Sequence, residues 1–231
     1  SDVKYGGTNF SGSLLIGRET TGTLNNAQYN TGVGYNVFSD ITSGQMNTAI
    51  GFTTLQNHTT GHQNTAAGYR ALVDNTTGST NTAFGSQVLS NNISGDYNVG
   101  IGVLALYANT TGHSNTASGL NSLRSNTTGY YNTASGYSSL YSNTTAYGNT
   151  ASGYSSLYSN TEGDYNTAFG YQSLYSNTTG LYNTASGSFS LRSNTTGIQN
   201  TASGYRSLYY NSTGTRNIAM GYGALDAADT E

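Results

Sequence analysis

The sequence predicts an all-β protein, a parallel β-solenoid of thirteen 17-residue coils, and three observations carry this prediction. From Ser13 onward a 17-residue unit recurs without insertion or deletion. Its fifth residue is glycine in every unit, and its ninth is leucine from Leu55 to Leu225. Because each unit then meets the same neighbours on both sides, the units are expected to stack as regular coils. Loops of an ordinary globular domain would not keep this register.

Each unit divides into strand and turn sequence. A first strand is predicted over positions one to five, which read Asn-Thr-Ala-Ser-Gly in residues 132–136, and a second around the leucine at position nine. The Asn-Thr-Thr-Gly at positions twelve to fifteen is turn sequence, since asparagine bonds nearby backbone and glycine accepts positive φ. The sequence has no proline, as a fully hydrogen-bonded ladder requires. We predict an N-terminal cap or linker over residues 1–12 and the repeat array over 13–231.

Composition narrows the classes of function. Only 7% of the residues are charged and the net charge is -3, with seven basic residues scattered along the chain, which argues against a nucleic-acid partner. No run of 18 apolar residues is present, so membrane insertion is not expected. The 21 tyrosines and the absence of proline argue against disorder.

Side chains alternate across a strand, so positions two and four share one face while one, three and five share the other. After Leu15, position three is always alanine or glycine, which indicates a close packing contact. Position four is apolar in early units, as at Ile50 and Phe84, and mostly serine from Ser118 onward. A coil this thin buries little surface alone. The small column therefore favours several chains packed side by side.

The strands Asn-Thr-Ala-Ile-Gly (47–51) and Asn-Thr-Ala-Phe-Gly (81–85) resemble the head repeats of trimeric autotransporter adhesins. The longer unit at residues 166–180 is similar to repeats of phage tail fibres and bacterial surface proteins. The likeness runs from Ser13 to Asp226 and implies a left-handed β-roll of three chains, with Thr48 and Ile50 toward the coil interior. Two features differ from the adhesin family. The adhesin repeat is shorter, and from Ser118 onward the position that the resemblance places in the coil interior is mostly serine instead of an apolar residue. The small residues that the resemblance implies at the chain–chain interface are Ala49, Ala83, Ala117, Ala134, Ala151, Ala168, Ala185 and Ala202.

Two alternatives stay open beside the fibre. The units Asn-Thr-Ala-Ser-Gly at residues 115–119, 132–136 and 149–153 are similar to the Asn-Thr-Val-Ser-Gly repeats of a grass ice-binding β-roll. Ice binding requires a flat threonine array, and the position-two threonines are interrupted at Val99, with no second threonine two positions along the strand. The other alternative is the subunit of an extracellular filament that assembles end to end, since neither terminus shows an evident polar cap.

Catalytic and metal-binding candidates are few. His58 and His62 lie in one corner segment without a third ligand nearby, so we expect exposed turn residues rather than a metal pair. No general base recurs beside the abundant serines, and the glycines lack the following helix of a phosphate loop. The sequence therefore predicts that the protein is not an enzyme and has no cofactor and no metal.

Tyrosine is the most suggestive residue for function. It recurs at positions six, ten and seventeen, and rings stacked in register would form an amphipathic surface for glycans or fill grooves between chains. We predict a structural, adhesive segment of a tail fibre or surface adhesin, extracellular or on a virion, which binds surface glycans through repeated weak contacts. The expected assembly is a homotrimer. The predicted ligand-binding residues, where positions six and ten are both unbroken, are Tyr137, Tyr141, Tyr154, Tyr158, Tyr171 and Tyr175.

Overall fold

A computed structural model of the chain describes residues 3–17 and 21–226, and it contains one short strand in each repeat. The chain divides into two compact units, Ser1–Ser114 and Asn115–Glu231. No helix occurs among the described residues. Each unit is an all-β parallel β-solenoid, as predicted. Residues 1–2 of the predicted cap, and residues 18–20 and 227–231 of the predicted array, lie outside the described residues.

In the first unit, β1 runs antiparallel to β2, with Val3 opposite Ile16. From β2 onward all pairing in this unit is parallel and offset by one repeat, as where Thr48 faces Thr65. The strands of this unit are β1 (Val3–Tyr5), β2 (Leu14–Ile16), β3 (Thr31–Val33), β4 (Thr48–Ile50), β5 (Thr65–Ala67), β6 (Thr82–Phe84) and β7 (Val99–Ile101).

The second unit repeats this pattern with seven parallel strands. Thr150 is opposite Thr167 and Ala151 is opposite Ala168, so equivalent residues form straight columns. The strands are β8 (Thr116–Ser118), β9 (Thr133–Ser135), β10 (Thr150–Ser152), β11 (Thr167–Phe169), β12 (Thr184–Ser186), β13 (Thr201–Ser203) and β14 (Ile218–Met220).

The middle residue of every strand from β2 to β14 faces the coil interior, and this reverses the predicted orientation. Thr133 and Ser135 of β9 are exposed while the alanine between them is buried. Ile50, expected inside, is 48% exposed. The predicted chain–chain contact of the alanines is wrong, because their own coil encloses them completely; these are Ala49, Ala83, Ala117, Ala134, Ala151, Ala168, Ala185 and Ala202, each 0% exposed.

The narrow interior explains why position three stays small. A Cβ added at Gly100, which occupies that position in β7, would lie 2.4 Å from a methyl carbon of Val88 and 3.6 Å from one of Leu89. The column of small residues therefore packs directly against the side chains at position eight and the leucines at position nine. These leucines are the largest repeated side chains of the core, and they are fully buried from Leu55 to Leu191.

The segment around position nine is a bend instead of the predicted second strand. Ser155 and Leu157 have φ values of 51° and 50°, a conformation that non-glycine residues rarely adopt. The Ser155 amide donates to the carbonyl of Tyr137 in the preceding coil (2.8 Å), whereas the Leu157 amide donates to that of Ser173 in the following one (3.0 Å). Alternating conformations thus turn the chain while its amides stay bonded to both neighbouring coils.

Two columns of buried asparagine, at positions one and twelve, form hydrogen-bonded ladders along the coils. The side-chain amide of Asn81 donates to the side-chain oxygen of Asn64 (3.2 Å), and that of Asn92 donates to Asn75 (2.7 Å). Both Asn81 and Asn92 also donate to the carbonyl of Gly95, at 2.8 and 3.0 Å. Because every buried ladder amide in these contacts has a partner, the polar interior avoids most of the cost of unsatisfied groups; the side-chain amide of Asn149 is an exception.

The invariant glycine at position five is required by close approach between coils. Gly153 has φ of +135°, and a Cβ added there would lie 2.5 Å from the carbonyl oxygen of Gly170 in the next coil. Any side chain at this position would push successive coils apart, which explains why glycine occupies it in all thirteen 17-residue repeats.

Candidate functional site

Two ranks of stacked tyrosines run along the second unit. In the position-six rank, the ring centroid of Tyr154 lies 5.0 Å from that of Tyr137 and 5.1 Å from that of Tyr171. The position-ten rank has the same spacing, and all four ring pairs lie within 13° of parallel. Rings at these distances stabilise one another. The position-six rank is Tyr137, Tyr154 and Tyr171; the position-ten rank is Tyr141, Tyr158 and Tyr175.

A groove of about 340 Å³ lies between the two ranks. Five tyrosines and four other polar residues line it, and most of the exposed surface of this lining is polar. Five of the six predicted ligand-binding tyrosines line it, while Tyr171 continues the position-six rank without lining the groove. Sequence reasoning missed the position-seven residues that complete the lining, because the predicted strand hid the bend that places them there. They are Asn121, Ser138, Ser155 and Gln172.

An arginine continues the position-ten rank at each end. Arg124 donates from Nη1 to the hydroxyl oxygen of Tyr141 (2.8 Å), and its guanidinium carbon lies 5.6 Å from that ring centroid. Arg192 lies 5.2 Å from the ring centroid of Tyr175 and donates from Nε to the side-chain oxygen of Gln172 (3.1 Å). These are cation–π distances. Both arginines could have been found from the sequence, since they occupy position ten in the 17-residue repeats that flank the three tyrosines.

The middle of the position-ten rank stays protonated. Burial raises the pKa of the Tyr158 hydroxyl above its usual value, and the neighbouring Tyr141 and Tyr175 raise it further. A phenol in this state donates a hydrogen bond and accepts others. The groove therefore offers neutral donors and acceptors between two positive ends.

A second aromatic cluster lies at positions sixteen and seventeen of the same unit. Tyr130 and Tyr147 stack with ring centroids 4.8 Å apart, and Tyr165 stacks on Tyr182 at 5.3 Å. A hydrogen bond with Tyr165, together with nearby negative charge, raises the pKa of Tyr147 to about 12. This cluster was not among the predicted site residues, and it supplies a matched comparison for the groove.

The outward face of the strands differs between the two units. In the second unit, position two is threonine in six successive strands and position four is serine in all of these except β11, which has Phe169. In the first unit, position four is apolar, with Ile50 48%, Phe84 44% and Ile101 46% exposed. We call these the hydroxyl face and the apolar face.

His58 occupies position twelve and replaces asparagine in the buried ladder, so the prediction of an exposed turn residue is wrong for it. Its ring is fully buried, and Nε2 lies 2.8 Å from the carbonyl oxygen of Gly61. Nδ1 lies 3.1 Å from the side-chain amide of Asn75. Burial lowers the pKa of His58 to about 4, and the hydrogen bond to Gly61 offsets only part of this shift. His62 is exposed as expected.

Among the described residues, no three His, Asp or Glu side chains lie close enough together to hold a metal ion. In the same part of the chain, no helix has the length and hydropathy to cross a membrane. Comparison with protein-family models and with curated proteins finds no match to this chain.

His58 makes stability depend on pH, because the neutral ring fits the ladder while the unfolded chain binds a proton near pH 6.5. Because the pKa of His58 is lower in the folded protein than in the unfolded chain, the neutral ring contributes fully to folding stability above pH 6.5. This contribution is lost as the pH falls toward 4. We expect a loss of about 2–3 kcal/mol between pH 7 and pH 4.5, measured by urea denaturation.

His58→Asn restores the asparagine of the repeat and should remove most of this pH dependence. His62→Asn, the matched control at an exposed site, should keep it. An unchanged pH profile in His58→Asn would contradict the assignment of the effect to the ladder.

Proposed function

We propose that this chain is a structural and adhesive segment of an extracellular or virion-surface fibre, and that it binds glycans in the groove between its two tyrosine ranks. The observation that carries the proposal is the groove itself, whose position-seven residues recur in four successive coils. At about 4.8 Å per coil these residues extend over about 14 Å, which suits an extended ligand.

The chemistry of the lining favours carbohydrate. Tyrosine presents both an apolar ring and a polar hydroxyl, so it contacts the C–H groups of a sugar as well as its hydroxyls. Ser138, Ser155 and Gln172 add hydrogen-bonding groups at regular intervals along the groove. A shallow, repeated site of this kind gains strength from several weak contacts and from several copies of the chain. This is a binding role rather than a catalytic one.

Removal of one ring from the groove tests the proposal. We expect Tyr154→Ala to weaken binding to soluble polysaccharides about tenfold, since a central interface tyrosine contributes about 1.4 kcal/mol. The measurement is affinity electrophoresis against a panel of neutral and acidic polysaccharides.

Tyr165→Ala is the matched control, because Tyr165 is in the same coil, stacks on Tyr182 of the next coil as Tyr154 stacks on Tyr171, and is 47% exposed against 46% for Tyr154. It should bind as the unaltered protein does. Equal loss in both variants, or no binding of any polysaccharide by the unaltered protein, would contradict the groove as a glycan site.

The homotrimer and the left-handed winding implied by the adhesin resemblance belong to the same proposal, with one change. The apolar face of the first unit, rather than the enclosed alanines, is the surface that we assign to the chain–chain contact. Exposed apolar patches in soluble proteins mark interaction sites. Phe52, which is 49% exposed and stacks between Tyr35 and Tyr69, extends this surface to position six.

The oligomeric state follows from this assignment. We expect light scattering to give a constant mass of three chains across a concentration series, and the double variant Ile50→Ser with Phe84→Ser to give one chain. Phe169→Ser is the control, because Phe169 has a similar exposure of 46% but stands alone on the hydroxyl face. A single-chain mass for the unaltered protein would overturn the trimer, and a mass that rises with concentration would favour the end-to-end filament.

Ice binding is the second candidate, and the hydroxyl face favours it. Six threonines at position two lie in parallel register along the second unit, and serine occupies position four in five of the six strands. Both positions point outward, as a flat array in contact with ice requires. They are the threonines at 116, 133, 150, 167, 184 and 201, and the serines at 118, 135, 152, 186 and 203.

Thermal hysteresis decides this candidate. If the hydroxyl face binds ice, Thr150→Lys should remove most of the activity, because a long charged side chain interrupts the array at its centre. Thr128→Lys, at an exposed position fourteen, should leave it unchanged. The absence of hysteresis in the unaltered protein would exclude ice binding.

A further inference from the structure

We infer that the groove takes an acidic polysaccharide, and that Arg124 and Arg192 bind its carboxylates. The inference rests on the proposed glycan-binding function and names the class of glycan. Neither arginine was among the predicted site residues, and neither is among the residues that line the groove. Each lies one coil beyond an end of the position-ten rank, whose end rings, Tyr141 and Tyr175, do line it.

The two arginines lie in one column, four coils apart. Between them stand the three rings of the position-ten rank, so the order along the column is cation, three phenols, cation. At about 4.8 Å per coil the two guanidinium groups are separated by about 19 Å. A polysaccharide that lies along the groove would therefore meet a positive charge at each end and neutral hydrogen-bonding groups between.

Contacts within the chain hold the guanidinium of Arg192 in a fixed orientation. Its Nε bonds to Gln172 and its Nη1 donates to the hydroxyl oxygen of Tyr209 at 3.3 Å, while the planar group lies over the rings of Tyr175 and Tyr209. These two hydrogen bonds involve two of the five N–H groups of an arginine. A guanidinium held in this manner binds a carboxylate with little further loss of side-chain freedom.

The charges around the groove favour an anion. No carboxylate is among the residues that line it. In the described part of the second unit, Glu162 and Asp164 lie at positions fourteen and sixteen, and Asp226 forms an ion pair with Arg206 (3.2 Å). The protein has a net charge of -3, so a local pair of cations on a rank of tyrosines is a departure from its general surface. The hydroxyl and amide groups between the cations favour a sugar acid over an acidic peptide.

Polygalacturonate and the same polymer after reduction of its carboxyl groups form a matched pair of probes for the full chain. We expect the acidic polymer to bind more tightly than the reduced one, with an advantage that falls as salt is raised. Arg124→Gln and Arg192→Gln should each weaken binding of the acidic polymer about fivefold, which corresponds to an exposed charge pair of about 1 kcal/mol, and should leave binding of the reduced polymer unchanged.

Arg216→Gln is the control for net charge, because Arg216 lies at position seventeen and bonds to Gln199 away from the groove. It should bind both polymers as the unaltered protein does, and denaturation midpoints should show that all three variants are folded.

Equal binding of the two polymers would overturn the acidic specificity and leave the glycan site standing, whereas binding of neither would remove both. Polyglutamate binding as tight as that of polygalacturonate would show that charge alone is recognised, which also overturns the inference.

Discussion

The hydrogen bond from one buried asparagine to the next is the interaction on which the rest of the structure depends. The side-chain oxygen of Asn47 accepts from both the backbone amide of Asn64 (2.9 Å) and its side-chain amide (3.1 Å). A single inserted residue would move one amide out of line and leave buried groups unpaired, at about 1–3 kcal/mol each. The 17-residue repeat therefore keeps one length throughout the array, and the residues of every outward column are regularly spaced for the same reason.

This fixed interior leaves the outward columns free to vary. Positions one, three, five and nine are nearly constant, whereas position four changes from isoleucine and phenylalanine in the first unit to serine in the second. Position ten changes from tyrosine to arginine at Arg124 and Arg192 without disturbing the leucine beside it, since Leu123 and Leu191 are both fully buried. Repeats with the same interior can thus carry surfaces of different chemistry, and we place the proposed functions on those surfaces.

The period predicted the coil and the tyrosine ranks, but it did not predict which strand face is inside. Alternation of side chains along a strand separates two faces but does not show which of them is inside. Here the narrow space against the leucine column admits only alanine or glycine, so the side chain of Ile50 points outward. The bend at positions seven to nine also escaped prediction, because serine and leucine give no local signal for positive φ. For the same reason Gln172 and its neighbours in the groove were missed. The prediction for His58 was wrong because turn sequences are generally exposed, whereas the first residue of this turn, which is asparagine in most repeats and His58 in residues 58–61, lies in a buried ladder.

Regular stacking also explains how a shallow groove could bind a ligand well. A free tyrosine loses rotamer freedom when a ligand orders it, and that loss weakens binding. In the position-ten rank, Tyr158 is already held between neighbours at 5.0 and 5.2 Å, so much of this freedom is lost when the chain folds. The rings and the two arginines are thus arranged before any ligand arrives. The same rigidity limits the ligand, because a polymer whose repeat does not match the spacing of the coils would align with one ring and miss the next.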